Sequence, residues 1–325
     1  MTITTDQLLA GATHREPLRR EDGLSNVPME RLVVDGQRCV LKHLSWEGDW
    51  VMRFSQDTRC RPAVMHDLGL YERVAPWVDP LVLGVGYDEA TATWSLLMRD
   101  ASDEFIDEGS SPITPEQQAG FLRDMAGLHA GMWGFQHVDG LCRPEDYYAF
   151  FSPASLAREE AQRPLAGVPS YTRGGWDALA SLEPALADDV QALLADVTPF
   201  TSAQAETPQT LVHHDWKGGN LGIRPDGRTL LVDWAFPGSD AGLSDIGWYL
   251  AVNCDRLVTS KEQVVADYRA ALEREGVETA GWFDRQLELA LLGSFLVLGW
   301  SKTGDAEELA WWVDRVAPVA KELAR

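Results

Sequence analysis

The chain has 325 residues, of which 45% are hydrophobic, so it can bury the core of one large domain or of two smaller ones. It carries 50 acidic side chains against 28 lysines and arginines, a formal net charge of −22, which disfavours nucleic acid and anionic lipid as partners because both bind basic surfaces. The longest apolar stretch, 289–300, is too short to span a bilayer, and the N-terminus lacks the pattern of a secretory signal.

The cysteines are scattered. Cys39, Cys60, Cys142 and Cys254 show no CxxC spacing, which argues against a zinc site and against a disulfide framework. We therefore expect a cytoplasmic protein with reduced thiols. No nucleic-acid or membrane partner is expected, and the oligomeric state stays open, with a monomer favoured. The acidity either keeps the protein soluble or attracts a cationic small molecule, and composition leaves both open.

The first predicted elements are strands. Residues 24–44 are β-rich and contain an Asp35-Gly36 turn signal between two apolar runs, which indicates a hairpin. Residues 62–75 have helical periodicity, with Pro62 suited to a first turn. Two more strands are predicted near 80–87 and 92–99.

This order of strand, strand, helix, strand and strand predicts a small mixed domain over residues 1–100. From residue 101 to 325 the pattern becomes helical. A helix is predicted over 114–133, where Thr114 and Gln117 form a capping-box pattern. The Gly- and Pro-rich stretch 163–176 is predicted to be a loop or an insertion, and helices follow from Lys261.

Side chains suited to metal binding and proton transfer are concentrated in Leu211–Trp234, "LVHHDWKGGNLGIRPDGRTLLVDW". A zinc site of His213, His214 and Asp215 fits poorly, because adjacent side chains of a strand point to opposite faces. A metal-dependent hydrolase that uses both histidines is retained as a rival hypothesis.

The second half of this stretch predicts a hairpin. If Asp226-Gly227 is a two-residue turn, Asn220 lies directly opposite Asp233, with Cβ atoms about 4.5–5.5 Å apart. The amide and carboxylate oxygens would then suit Mg²⁺, which prefers oxygen ligands and completes its shell with water and phosphate. The alternative is an exposed polar pair at a strand end.

Two further side chains precede the hairpin. A carboxylate at Asp215 can accept the proton of a substrate hydroxyl beside a metal–phosphate site, and Lys217 can neutralise a phosphate in transfer. A turn aspartate and a solvated lysine are the alternatives at these positions.

The pattern His213-x-Asp215-x4-Asn220, followed by Asp233, resembles the catalytic core of aminoglycoside phosphotransferases and choline kinase-like enzymes, which are small-molecule relatives of protein kinases. Weaker matches follow in the family's order: a nucleotide-binding loop and strand at 23–42, an acidic helix at 66–76, a hinge at 95–102, the "LHAGMW" helix at 128–133 and "LSDIGWYL" at 243–250.

The resemblance implies an α+β, two-lobed protein-kinase-like fold, with a small β-rich N-lobe over 1–100 and a larger, mostly helical C-lobe over 101–325. It implies ATP-dependent phosphorylation, with Mg²⁺, of a hydroxyl group on a small molecule. The acidic composition favours a cationic acceptor such as an aminoglycoside, aminosugar or amino alcohol, and a neutral sugar remains open.

The resemblance also implies roles in the C-lobe. Asp215 would be the catalytic base, with Lys217 beside it, while Asn220 and Asp233 would hold Mg²⁺. His213 and Asp245 would brace the catalytic loop, since the histidine matches a packed structural residue of the family.

In the N-lobe, the resemblance places Ser25 in the nucleotide-binding loop and Lys42 on the α- and β-phosphates of ATP. Asp67 would pair with Lys42, and Glu72 is the competing partner. Main-chain groups of the hinge, at Met98, Arg99 and Ala101, would bind adenine.

The chain departs from the family pattern at two positions of the catalytic loop. His214 stands where glycine is usual, and Trp216 where leucine is common. The chain also lacks the phosphate-binding motif of P-loop kinases. A kinase-like module that binds nucleotide without catalysis is the main rival to the enzyme.

Overall fold

The computed structural model describes residues 3–18, 27–106, 109 and 111–325. Ser25 lies outside the described residues. The α+β prediction is confirmed, because a sheet-rich N-terminal part precedes a mostly helical C-terminal part. Within the described ranges, no helix combines the length and apolarity needed to cross a bilayer.

The strands of the described residues are β1 (Ile3–Thr4), β2 (Thr13–Leu18), β3 (Met29–Val34), β4 (Gln37–Leu44), β5 (Val78–Asp79), β6 (Val82–Asp88), β7 (Thr93–Arg99), β8 (Gln209–Val212), β9 (Leu221–Ile223), β10 (Thr229–Leu231) and β11 (Gly238–Ala241). The α-helices of the same residues are α1 (Thr5–Leu8), α2 (Trp50–Phe54), α3 (Arg61–Asp67), α4 (Leu70–Val74), α5 (Pro115–Gly131), α6 (Pro144–Tyr148), α7 (Pro153–Glu160), α8 (Val168–Leu182), α9 (Pro184–Ala195), α10 (Thr198–Ala205), α11 (Leu243–Val252), α12 (Lys261–Arg274), α13 (Phe283–Leu298) and α14 (Ala306–Leu323). Short 3₁₀ helices span Gly218–Asn220, Cys254–Arg256 and Gly299–Gly304.

The N-terminal strands form one sheet in the order β1-β6-β7-β4-β3-β2. The predicted β3–β4 hairpin is confirmed: Asp35 and Gly36 have φ of 49° and 80°, the left-handed pair that a tight hairpin turn requires. Strand β4 also pairs with β7, and there Lys42 of β4 lies opposite Leu96 of β7. This pairing places the lysine in the middle of the sheet, where it can face the C-terminal part.

The helix predicted over 62–75 is instead two short helices. Gly69, with φ of +64°, interrupts the chain between α3 and α4. The left-handed residue ends the helical hydrogen bonding after α3, so the apolar face that the periodicity indicated is divided between two helices.

The C-terminal part is built around buried helices. The capping box of α5 is confirmed, with Thr114 Oγ1 accepting from the Gln117 N–H at 3.2 Å. Helix α13 is buried along most of its length and packs on α11. These helices form one large core that supports the loops at the sheet-facing end.

The prediction of a loop over 163–176 is wrong for the second half of that stretch, because α8 begins at Val168. Pro169 lies in the first turn, where its missing N–H removes no helical bond. A Cβ at Gly175 would overlap the Trp300 carbonyl oxygen, so this glycine serves close packing inside a helix and not a turn.

Strand β5 of the N-terminal part pairs in parallel with β10 of the C-terminal part. The two parts therefore share a small sheet, and a lobe boundary at residue 100 stays a prediction.

Trp77 adds a second contact between the parts, because its ring lies against α5. A Cβ added at Gly127 or Gly131, one helical turn apart, would overlap the indole. Both glycines thus allow the tryptophan to approach the helix backbone closely.

Gly131→Ala should lower the free energy of unfolding by about 1–3 kcal/mol, because the new methyl group overpacks Trp77. Gly120→Ala on the same helix is the control: nothing lies within 4 Å of its added Cβ, so helix propensity should leave stability unchanged or raise it by up to about 1 kcal/mol. Urea unfolding measures both. Equal stability of the two variants would show that Trp77 moves aside freely.

Candidate active site

A cavity of about 810 Å³ lies between the N-terminal sheet and the C-terminal helices. It gathers residues that are distant in sequence, from β4, the end of β7 and the loop after β8. The predicted site residues on its lining are Lys42, Met98, Arg99, Ala101, Asp215, Lys217, Asn220 and Asp233. His213 and Asp245 lie behind this surface, fully buried.

The predicted hairpin register is wrong by one residue. Leu221 pairs with Leu231, and the Val232 N–H donates to the Asn220 carbonyl oxygen at 3.1 Å, so Asn220 faces Val232 and not Asp233. The turn has three residues, 225–227, and closes on Gly227 with φ of +83°. A three-residue turn with a left-handed glycine is the next most common hairpin connection after the two-residue turn.

Asp233 reaches the same cavity by a different route. It follows the last residues of the ladder and has φ of 66°, a left-handed backbone that is uncommon for aspartate. Its Oδ1 lies 2.7 Å from Lys42 Nζ, which links the C-terminal hairpin to the N-terminal sheet. Burial opposes the charge of Lys42, but Asp233 outweighs it, and the pKa of the lysine is raised.

The predicted pairing of Lys42 with Asp67 or Glu72 is corrected by this contact. Asp67, at the end of α3, lies 3.9 Å from His66 with a side chain 42% exposed, and it is not on the cavity lining. The acid that acts on Lys42 beside Asp233 is Asp49, which caps α2 through the Val51 N–H at 2.8 Å. Burial raises the pKa of Asp49 to about 6.

Asp215 is held by three side chains. Trp248 Nε1 donates to Oδ1 at 3.1 Å, Asn220 Nδ2 donates to Oδ2 at 2.8 Å, and Lys217 Nζ lies 3.1 Å from Oδ2. Asp215 is 5% exposed and lines the cavity. Because the amide nitrogen of Asn220 is bound to Asp215, its oxygen is the end available to a cation.

Asp245 anchors the loop from behind. Its carboxylate accepts hydrogen bonds from the main-chain N–H groups of His213 and His214 and from the indole N–H of Trp216, at 2.6–3.0 Å. It also bonds His129 Nε2 at 3.1 Å. Burial disfavours this charge, yet the bond from His129 prevails and the pKa of Asp245 is lowered. The bracing expected of Asp245 thus has a direct geometric basis, and it includes the unusual Trp216.

His213 is fixed in one neutral tautomer. Its Nδ1 accepts the Asp215 N–H at 3.1 Å, so the proton resides on Nε2, which donates to the Val232 carbonyl oxygen at 3.1 Å. Burial lowers the pKa of this ring. Both nitrogens are occupied by the protein, which agrees with a structural histidine.

His214 occupies a left-handed position, with φ of 64°, the conformation that favours the glycine usual in the family. Its Nδ1 bonds the Phe236 carbonyl oxygen at 3.1 Å and its Nε2 bonds Asp240 at 2.9 Å. Its ring also stacks on Tyr147, with centroids 3.9 Å apart. No sequence signal indicated Asp240 or Tyr147, because the contacts join separate segments.

The donor set fits Mg²⁺ better than zinc. Among the described residues, no cluster of three or more His, Cys, Asp or Glu side chains could hold a metal ion. Mg²⁺ needs few protein ligands, because it retains water and takes oxygens from substrate phosphates. The oxygens of Asn220 and Asp233 on one lining meet this smaller requirement.

The sequence profile of the phosphotransferase enzyme family (APH) matches residues 43–284. None of the curated protein sequences matches the chain. Choline kinase LicA from Streptococcus pneumoniae is 14% identical, with 98% of this chain and 96% of that chain covered and a TM-score of 0.51. A thermostable mutant of aminoglycoside phosphotransferase APH(4)-Ia, in ternary complex with AMP-PNP and hygromycin B, is also 14% identical, with 97% and 96% covered and a TM-score of 0.51. The two-lobed, protein-kinase-like fold is thereby confirmed.

The neutral state of His213 predicts a pH dependence of stability. Because its pKa in the folded protein is below its ordinary value of 6.5, the unfolded chain binds the proton first as the pH falls. The stabilisation from His213 is therefore complete above pH 6.5 and declines below it. His213→Gln should cost about 1–3 kcal/mol near neutral pH and less at more acidic pH. Urea unfolding at two pH values measures this difference, and a cost that grows on acidification would contradict the neutral state of His213.

Proposed function

Because the chain belongs to the phosphotransferase enzyme family, we propose that it transfers the terminal phosphoryl group of ATP, with Mg²⁺, to a hydroxyl group of a small molecule. One observation carries the proposal. Lys42, Asp215, Asn220 and Asp233 line a single cavity and are joined in pairs by hydrogen bonds, Lys42 to Asp233 and Asn220 to Asp215.

In this proposal Asp215 receives the proton of the acceptor hydroxyl. Trp248 and Asn220 hold the carboxylate in place, so that little reorganisation is needed when the hydroxyl attacks. Lys217, 3.1 Å from Asp215, faces the same space and would balance charge on the phosphate. Such positioning and neutralisation supply most of the catalysis in phosphoryl transfer.

The N-terminal half of the cavity would hold the nucleotide. Lys42 is the cation proposed for the α- and β-phosphates. The hinge residues Met98, Arg99 and Ala101 line the cavity and are proposed for adenine. The Arg99 N–H already donates to the Leu81 carbonyl oxygen at 2.9 Å, so adenine would use other main-chain groups of this segment.

Asn220 and Asp233 are proposed to hold Mg²⁺. When bound, the ion supplies positive charge to the phosphate oxygens. Asp233 is the one charged ligand of the proposed pair, and it also forms an ion pair with Lys42. Asn220 contributes a neutral amide oxygen.

The geometry weakens both rival functions. A hydrolase that uses His213 and His214 would need free ring nitrogens, but each ring has both nitrogens in bonds to the protein. A non-catalytic nucleotide-binding module would have no need of a buried carboxylate fixed toward the cavity, as Asp215 is.

The first test separates chemistry from binding. With any acceptor that supports magnesium-dependent ADP formation, from a screen of sugars, aminoglycosides and amino alcohols, Asp215→Asn should lower turnover by roughly 10²–10⁴-fold and keep nucleotide affinity. Lys42→Ala should weaken nucleotide binding as well, because it removes the phosphate cation. ADP release and nucleotide titration measure the two effects.

Equal loss of nucleotide binding in both variants would refute this division of roles. Absence of magnesium-dependent ADP formation with every acceptor would refute the enzyme and favour the binding module.

The second test concerns the metal pair. Asp233→Ala should abolish productive Mg-ATP binding, whereas Asn220→Ala should be milder and partly rescued by excess Mg²⁺. The double variant should be little worse than Asp233→Ala alone, because residues that share one ion act non-additively.

Magnesium titrations of ADP formation measure these losses. Asp226→Ala is the control, since this aspartate lies in the exposed turn of the same hairpin and pairs with Arg228. Fully additive losses would show that Asn220 and Asp233 do not serve the same ion.

A further inference from the structure

The two halves of the cavity differ in chemistry. Beyond Asp215, where α2 meets the C-terminal helices, the lining is dominated by aromatic rings. We call this surface the acceptor wall and define it as Trp50, Tyr147, Phe150, Phe151, Trp248 and Trp300.

The acceptor wall is continuous. The Trp50 ring stacks against Phe151, with centroids 6.0 Å apart at 30°, and Phe151 meets the edge of Trp300 at 5.6 Å. Phe150 lies 4.5 Å from Phe151, and Phe236, which is also on the lining, bridges Phe150 and Tyr147 at 5.1 Å and 5.5 Å. Tyr147 then contacts Trp248 at 6.1 Å. Trp50 and Trp300 are only partly buried, so their rings present apolar surface to whatever occupies the cavity.

The acceptor wall is hydrogen-bonded to the proposed base, Asp215. Trp248 Nε1 donates to Asp215 Oδ1 at 3.1 Å, so a hydroxyl group presented to Asp215 brings the remainder of its molecule against these rings. His214 supports the same surface from below: its ring stacks on Tyr147, and its carbonyl oxygen accepts the Tyr147 hydroxyl at 3.1 Å. The histidine that replaces the usual glycine thus helps to build the wall.

The carboxylates on the cavity lining are already engaged by the protein. Each carboxylate on the described lining already accepts a hydrogen bond or an ion pair from the protein. These residues are Asp49, Asp57, Asp100, Asp215 and Asp233. An acceptor with several ammonium groups would share these carboxylates with their protein partners and would lose its own hydration, whereas an apolar body would only displace water.

We propose that the acceptor is an uncharged hydroxyl compound with an apolar body of at least the size of one aromatic ring. This inference names the substrate class of the proposed phosphotransferase and rests on that function. Offset or edge-to-face packing against the wall would orient the hydroxyl toward Asp215, and burial of the body would supply the affinity.

Two matched pairs of alcohols and one polycation test the proposal. 2-Phenoxyethanol and 2-methoxyethanol present the same hydroxyl with and without a ring. 3,3-Dimethylbutan-1-ol and choline have the same shape without and with a charge. Hygromycin B is the polycation.

In magnesium-dependent ADP release, kcat/KM should be roughly 10- to 100-fold higher for the phenoxy compound than for the methoxy compound, because the ring is buried against the wall. The neutral alcohol should equal or exceed choline.

Variants locate the preference on the wall. Trp300→Ala should reduce the ratio of the phenoxy to the methoxy compound toward one and leave the KM for ATP unchanged, while Trp300→Phe should retain most of it. Trp133→Ala is the control, because this tryptophan is 40% exposed and packs on Trp282 outside the lining.

Calorimetric titration of the same compounds into the protein with Mg²⁺ and AMP-PNP separates the two proposals. Preferred binding of the phenoxy compound without ADP release would refute the proposed transfer and retain the acceptor class. Binding of neither member, a preference for choline or hygromycin B, or a ratio unchanged in Trp300→Ala would refute the acceptor class, whether or not phosphate is transferred.

Discussion

The site depends on one buried carboxylate. Asp245 accepts main-chain N–H groups of two successive residues, His213 and His214, and the indole of Trp216. These bonds constrain the chain on both sides of Asp215, so a residue that never touches the cavity determines where the proposed base lies. A charge buried this deeply is stable only with its donors in place, which makes the loop and α11 mutually dependent.

A left-handed backbone provides the second constraint. Asp233 leaves the β9–β10 ladder with φ of 66° and meets Lys42 of the N-terminal sheet, so one ion pair joins the proposed metal ligand to the proposed phosphate cation across the cavity. Strain of this kind persists where the surroundings hold it, and it tends to occur at functional sites. His214 has a similar backbone and uses it to support the aromatic wall.

Local signals predicted local features. The Asp35-Gly36 turn and the Thr114 cap were correct because the residues involved are neighbours in the chain. The prediction of the hairpin register was wrong because Asp226-Gly227 alone does not determine the length of the turn. The partner of Lys42 could not be predicted from local sequence because Asp233 is 191 residues away. Of the residues that the family resemblance named, eight line one cavity, while His213 and Asp245 are buried behind it. Asp67 is off the lining and Ser25 lies outside the described residues, and the individual roles stay predictions.

The most direct measurement is a crystal structure with AMP-PNP in which Mn²⁺ replaces Mg²⁺ and is located by its anomalous scattering. The account predicts a metal peak within about 2–2.5 Å of Asn220 Oδ1 and of a carboxylate oxygen of Asp233, bridged to the phosphates and beside Asp215. A metal bound elsewhere, or phosphates that bind without these two side chains, would contradict it.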